Sequence, residues 1–396
     1  TDGDQVFQKT IPQSERERRV AFLRVNESGL PKLLQEKLQG GGCAGVIVNT
    51  VRKAQRIAAL LRRTMPGFQV QLVHAQFLMP DRAEKEEELR RNLGKTSTAA
   101  QRDRRILVGT QVLEQSLDID FDLLVTDLCP MDLLLQRIGR LQRHLRQGRP
   151  AGLETAVCAV LDEEDGAYDP GSLAIYGEWL LWRTRELLPE QILLPADIPR
   201  LVQDVYGWAE GDCLPEGAAQ EAAREAYEIA ENKRKKGAEN YAVSKPWKRE
   251  WDYHNWLTTS AALSDAAARA AVRDGDPALD VLVMMFGEDG SVRFLPWQEG
   301  GAQVATDRPP SWEESRRIAR QQLRLPGYFS KRWNLDRAIR ELEKDNRKNL
   351  PEWQRAPLLK GELVLLLNPS LEAKLAGAHL RYDREEGLVY QRGGDE

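Results

Sequence analysis

The sequence predicts an α/β fold: a parallel sheet sandwiched by helices, then a helical linker, then a small α+β C-terminal domain. Three observations carry this. Over the first 165 residues, short apolar runs alternate with helical patterns of ten residues or more, the signature of consecutive βαβ units. Residues 172–232 then read mostly as helix, with Trp179, Trp182, Leu187 and Leu188 as an apolar face. Near residue 278 the character changes, and Leu279–Phe286, Gly287-Glu288-Asp289-Gly290 and Val292–Trp297 make a hairpin signal. The expected domains are 1–165, 166–270 and 271–396, and a chain of 396 residues is long enough for three.

In order, Arg19–Leu23 is a strand, and Leu33, Leu34 and Leu38 mark a helix ended by Gly40-Gly41-Gly42. Ala44–Val48 is the next apolar run, followed by helical spacing from Lys53 to Arg63, a strand over Gln69–Val73 and a charged helix over Asp81–Leu93. Ile106–Gly109, Leu123–Asp127 and Thr155–Leu161 complete the strands of the first domain. Asn232–Lys245, with Lys233-Arg234-Lys235-Lys236, reads as a connector or exposed loop. Helical stretches at 311–325 and 334–346 precede strands at Glu362–Leu367, Leu380–Tyr382 and Leu388–Tyr390.

With 41% hydrophobic and 30% charged residues, the core needs no metal or disulfide. Cys43, Cys129, Cys158 and Cys213 form no CxxC pair, so a zinc ribbon and a secreted disulfide scaffold fit poorly and a reducing cytoplasm fits best. No apolar run approaches a membrane span. The net charge of −4 hides a polarised chain: residues 1–150 carry 25 Lys+Arg against 18 Asp+Glu, and residues 151–396 carry 32 against 43. Nucleic-acid affinity is therefore expected of the first part and not of the accessory part.

Gly94-Lys95-Thr96 imitates the end of a Walker A loop, but Leu89 stands where that loop needs glycine. The tripeptide also follows a helix pattern, the reverse of the strand–loop–helix order that cradles phosphate. Asp127 and Asp162 after strands are then strand-end carboxylates and not Walker B residues. His74, His144, His254 and His379 stand apart with no HExxH or His-Asp dipeptide, so no metal site is expected. Phe77 and Trp247 are candidates for base stacking, with core packing or a hinge as the plainer reading.

The densest signal is Gln136-Arg137-Ile138-Gly139-Arg140-Leu141-Gln142-Arg143-His144. Arginines recur every three residues from Arg137 to Arg149, with no acid between Gln136 and Arg149. On a helix this spacing sets Arg140 and Arg143 on neighbouring turns, where two guanidiniums converge on one anion. Gly139 permits close approach there. A solvated basic helix is the plainer alternative. Upstream lies Val108-Gly109-Thr110-Gln111-Val112-Leu113-Glu114-Gln115-Ser116-Leu117-Asp118-Ile119-Asp120.

Strand, Gly-Thr, a loop of spaced carboxylates, strand, then the arginine segment resembles motifs V and VI of superfamily-2 helicases, and so the second RecA-like domain of their motor. Asn49-Thr50 resembles motif IV, and Val73-His74-Ala75-Gln76-Phe77, with Arg82 beyond it, the motif that follows. Within that superfamily, Glu114–Asp120 is similar to motif V of the CRISPR-associated helicase–nuclease of type I interference. The C-terminal hairpins resemble its accessory domain. One departure is Ala75-Gln76, where that family carries Ser-Arg.

The resemblance implies Arg140 and Arg143 as arginine fingers and Gln136 as a nucleotide contact. It places Asp118 and Gly139 at the nucleotide, and Asn49, Thr50, His74, Gln76, Gly109, Thr110 and Gln111 at the strand. It implies ATP with Mg2+ held mainly by a first RecA-like domain, single-stranded DNA as substrate, and delivery by the guide-RNA surveillance complex (Cascade). A chain beginning at Thr1 and lacking Walker and nuclease motifs then reads as a C-terminal half whose partner half lies outside it. Another superfamily-2 ATPase, such as an RNA helicase or restriction-type translocase, and a non-catalytic regulatory module are the alternatives.

Overall fold

Strands that are buried on both faces must be apolar throughout, and the runs around residues 45, 107, 124 and 158 meet that condition. In a computed structural model, which describes residues 17–114, 117–163, 166–207, 217–239 and 278–393, they become β2 (Cys43–Ile47), β4 (Arg105–Gly109), β5 (Leu123–Asp127) and β6 (Ala156–Leu161). With β1 (Arg18–Val25) and β3 (Gln69–Val73) they form six parallel strands, and β7 (Gln191–Leu194) adds an antiparallel edge beside β1. The sheet order is β3-β4-β2-β5-β6-β1-β7. Expectations placed on Gln115, Ser116, Cys213, Trp247, His254 and linker residues 240–270 lie outside the described residues.

Successive residues along each strand serve opposite faces. Ile47, Leu107, Leu124 and Cys158 pack with Leu134 and Ile138 of α5 (Met131–Ile138) on one side. Val46, Val108, Val125 and Ala159 pack with Ala54, Ile57 and Leu61 of α2 (Val51–Thr64) on the other. Thr50 starts α2 by accepting the Lys53 N–H on its hydroxyl, a cap worth about 1 kcal/mol.

The compact unit built on this sheet runs to Leu214 and also takes in Arg381–Tyr390, so it passes the boundary expected at 165. The cause is β7, hidden in a stretch that reads as helix because Leu187 and Leu188 continue the helical spacing into Gln191–Leu194. Among the described residues, no helix is long and apolar enough to cross a membrane.

The second unit centres on β8 (Asp280–Phe286), with β9 (Val292–Arg293) and β11 (Gln322–Arg324) antiparallel to it and β12 (Val364–Leu367) parallel. Phe294, Ile318, Trp353 and Val364 share its core. Two local expectations change. Lys233–Lys236 are exposed on a helix, Ala218–Glu239, and not in a loop. The helix expected over 311–325 stops at Ala319, because Gln322–Arg324 pairs with β8. Exchanging a frayed last turn for sheet hydrogen bonds explains the second.

Candidate functional site

The loops that follow β2, β4 and β5 converge at the carboxyl ends of those strands, where ligands of open α/β sheets bind. Arg137 ties them together. Although α5 is amphipathic, Arg137 lies on its buried stripe with Met131, Leu134 and Ile138 and is fully buried. Its guanidinium donates to Glu114 Oε1 at 2.8 Å, Thr126 Oγ1 at 2.8 Å and Asn49 Oδ1 at 2.8 Å. Gln111 Nε2 donates to the Asn49 carbonyl at 3.1 Å and lies 3.3 Å from the Tyr176 hydroxyl.

The arginine segment departs from the expected helix. α5 ends at Ile138 with Gly139 as its cap. The chain then pairs with Phe121, whose N–H donates to the Arg140 carbonyl at 2.9 Å and whose carbonyl accepts the Gln142 N–H at 2.7 Å. Arg140 and Arg143 therefore sit past the helix end and not on successive turns. A low-propensity glycine at the boundary and a competing bridge to Phe121, just before β5, account for the break.

Arg140 is half-buried and donates to the Leu113 and Glu114 carbonyls at 3.3 and 2.6 Å. Arg143 is exposed and pairs with exposed Asp118 at 2.8 Å, while His144 Nε2 lies 3.1 Å from the same oxygen. Partial burial and then the adjacent Arg143 charge hold the Arg140 guanidinium below its ordinary value. Slight burial works to raise the Asp118 carboxyl, but the Arg143 hydrogen bond and the His144 and Arg143 charges outweigh it and leave it low. Two guanidiniums that repel one another, tethered largely by carbonyl oxygens, make a donor set that fits a polyphosphate. Gln136 is exposed on the last turn of α5 beside them.

The later arginines have other work. Asp120 is fully buried, and it accepts the Arg143 N–H at 2.8 Å and the guanidiniums of Arg146 and Arg149. Arg149 also reaches Asp122, which Arg102 pairs at 2.9 Å. These buried pairs clamp residues 142–149 onto the segment before β5.

The strand-contact expectations divide. Thr50 and Gln111 are partly exposed. Asn49 and Thr110 are buried, and the Asn49 amide is used up by Arg137, Leu128 and Ser172. Gly109 is packed so tightly that a Cβ would meet Leu113 Cδ1 and Val73 O at 2.6 Å, so its glycine serves sheet packing. Asp127, the strand-end carboxylate, forms a buried pair with Lys53 at 2.6 Å.

Two family models match this chain. One, described as CRISPR-associated nuclease/helicase Cas3, C-terminal, covers residues 40–146, and the other, described as Cas3 C-terminal domain, covers residues 273–388. A CRISPR-associated nuclease/helicase Cas3 from Streptococcus thermophilus is 35% identical over 402 residues, which span 99% of this chain and 42% of that protein. The chain belongs to the Cas3 family.

It corresponds to the C-terminal part of that family and spans about two-fifths of the length of this curated relative. A solved structure described as a CRISPR-associated protein superposes with a TM-score of 0.79 at 28% identity, over 97% of this chain and 42% of that one. A T. fusca Cas3–ADP structure, at TM-score 0.76 and 24% identity over 96% and 43%, shares the fold. Arg137, Arg140, Arg143, Arg146 and the loops after β2, β4 and β5 fall inside the first Cas3 match, and Arg149 lies just past it.

The second Cas3 match contains what sequence reasoning missed about His74 and Gln76. The hairpin of β14 (Ala378–Asp383) and β15 (Gly387–Arg392) places its tip, Arg381–Tyr390, in the first unit. His74 is fully buried, with Nε2 donating to the Glu386 carbonyl at 3.0 Å and Nδ1 accepting the Gln76 N–H at 3.1 Å. The Gln76 carbonyl accepts the Leu388 N–H at 2.9 Å, and the Tyr382 hydroxyl donates to Asp81 while accepting from Leu78 N–H. Gly387, at φ +70°, has no room for a Cβ, which would lie 2.6 Å from the Gln76 carbonyl. The His74 ring and the Gln76 backbone thus hold the hairpin, which leaves the His74 ring buried and the Gln76 side chain partly exposed. Phe77 is buried and stacked on His74 at 4.5 Å, so it is not a base platform. Pairing across some 300 residues has no local signal.

Burial, reinforced by the Lys85 charge, lowers the His74 imidazole to about 4 from 6.5. The unfolded chain therefore takes a proton below pH 6.5 that the folded chain refuses down to about pH 4. The contribution is complete above 6.5 and is lost as pH falls toward 4, about 3 kcal/mol in all. Urea unfolding of the chain and of His74→Gln across pH 7.5 to 4.5 is expected to give a shallower fall for the variant. Equal slopes would refute the assignment.

Proposed function

We propose that this Cas3-family segment is the second motor domain and accessory domain of an ATP-dependent single-stranded DNA translocase or helicase in CRISPR interference. The observation that carries the reading is the guanidinium pair just past α5. Arg140 and Arg143 are held on backbone carbonyls and one exposed carboxylate, whereas neighbouring Arg137, Arg146 and Arg149 are spent on buried acids.

Arg140 and Arg143 would face the γ-phosphate of ATP held, with Mg2+, mainly by a first RecA-like domain. Bound ATP supplies the phosphoanhydride whose developing charge the fingers stabilise. Gln136 and Gly139 border the nucleotide, and Asp118 orders Arg143. Asp120 fixes the backbone at Arg143. Thr50 and Gln111 contact the strand directly, while Asn49, Gly109 and Thr110 shape the loops that present them. Cleft closure brings fingers and loops together, coupling hydrolysis to movement along the strand, 3′ to 5′ as the resemblance implies. The surveillance complex (Cascade) supplies the opened target in the cytoplasm.

The 396 residues contain no Walker A loop, so the purified chain is expected to show no ATP turnover with single-stranded DNA. Addition of a first RecA-like domain is expected to restore it. Turnover by the chain alone would sink this reading.

A further inference from the structure

Residues 332–349 form the longest helix of the region after residue 278, with no prior reason to differ from any solvated amphipathic helix. At about 100° per residue, its surface can be laid out by position. Asn334, Ala338, Leu342 and Asn346 form the buried ladder. On the opposite side, Trp333, Arg337, Arg340, Lys344, Arg347 and Lys348 share one sector about 100° wide. All six are exposed. Asp336 and Glu343 border that sector on one side and Glu341 on the other, while Asp345 lies farther round, toward the buried ladder. The outermost stripe therefore holds one aromatic ring and five cations, with every acid outside it.

Trp333 is 73% exposed, and Lys331 Nζ lies 5.6 Å from its ring centroid. Burying an indole is strongly favourable, so a ring of this size left in water calls for a partner. A protein hot spot would set the ring among other apolar groups. Among the described residues, Trp333 is the one exposed large hydrophobic on this helix, and its surface neighbours are charged, Arg337 on one side and Asp336 on the other. Exposed ion pairs such as Arg337–Glu341 at 2.8 Å and Arg347–Glu343 at 3.6 Å hold those cations only weakly. The stripe runs about 22 Å at 1.5 Å per residue, roughly six nucleotides of a stacked strand at 3.4 Å each.

We propose that this face of the accessory unit binds single-stranded nucleic acid, with Trp333 stacking on a base and Arg340, Lys344 and Arg347 meeting the phosphates. Ring and cations in series are the chemistry of sequence-tolerant strand grooves. The site stands apart from the motor reading, because none of its residues belongs to the finger segment or the strand loops. It also lies in the acidic half of the chain, where net charge argues against such binding.

The test is fluorescence anisotropy of a labelled single-stranded DNA 20-mer with the full chain, with Trp333→Ala, and with the triple variant Arg340→Ala/Lys344→Ala/Arg347→Ala. Because these side chains are exposed, circular dichroism should match the parent. Trp333→Ala is expected to weaken binding about fivefold or more. The triple variant is expected to reduce the slope of log affinity against log salt by about 2, at roughly 0.7 per lost phosphate contact. The same loss with an RNA 20-mer supports the stacking chemistry. Unchanged affinity and salt slope in both variants would overturn the proposal. Normal DNA binding combined with lost docking to a protein partner would overturn it equally, by making the stripe a protein interface.

Discussion

Arg140→Ala and Arg143→Ala are each expected to cut strand-stimulated ATP turnover at least about a hundredfold in the motor reassembled with a first RecA-like domain. A complete arginine finger is worth roughly 10³–10⁵ in rate, and loss of one of a pair should fall toward the lower end. Folding should be largely spared, because Arg143 is exposed and Arg140 is half-buried and takes part in no buried ion pair in the way Arg137 does. Arg143→Lys should recover little, since an ammonium lacks the planar fork. Steady-state turnover with thermal melting as a control measures this. Parent-like turnover in both alanine variants would convert the segment into a structural relic and favour the regulatory-module alternative.

Arg137→Ala should do the opposite. Three residues upstream in the same periodic row, it is expected to lower the stability of the first unit by about 3–5 kcal/mol. The substitution leaves Glu114 buried without its cation and strips a 2.8 Å hydrogen bond from each of Thr126 and Asn49. Unpaired buried charge is what makes such losses large. Adding Glu114→Gln should restore part of the loss, because the stranded charge is then removed. Urea unfolding gives both values. A change below about 1 kcal/mol in Arg137→Ala would mean that the pair contributes little.

These two outcomes mark how far the sequence could be read. Alternation of apolar runs with helical spacing located the six parallel strands; the central four are uninterrupted because a doubly covered sheet demands it, while β1 and β3 keep polar residues. β7 escaped, since four residues after two leucines look helical until β1 offers an edge. The break after Ile138 escaped for a similar reason: helical periodicity continues through Arg149, and only the bridge to Phe121 stops it. One signal for Arg137 was available. It falls on the stripe of Met131, Leu134 and Ile138, where an arginine must be buried and therefore paired. Nothing local could have tied His74 to Glu386, because the contact depends on a hairpin more than 300 residues away.

By itself, then, the sequence determined the order of the loops after β2, β4 and β5, the lack of a Walker A loop, and the concentration of arginine before residue 150. Composition and spacing are sufficient for those, since they are properties of neighbours along the chain. Only the tertiary structure decided which arginines of one regular row are spent on buried carboxylates and which face outward. It likewise turned His74 from a strand contact into a hairpin anchor, and it gathered Trp333 and five cations on one face of an acidic region. Burial and pairing are set by what packs from elsewhere in the chain, and residue spacing does not encode that neighbour.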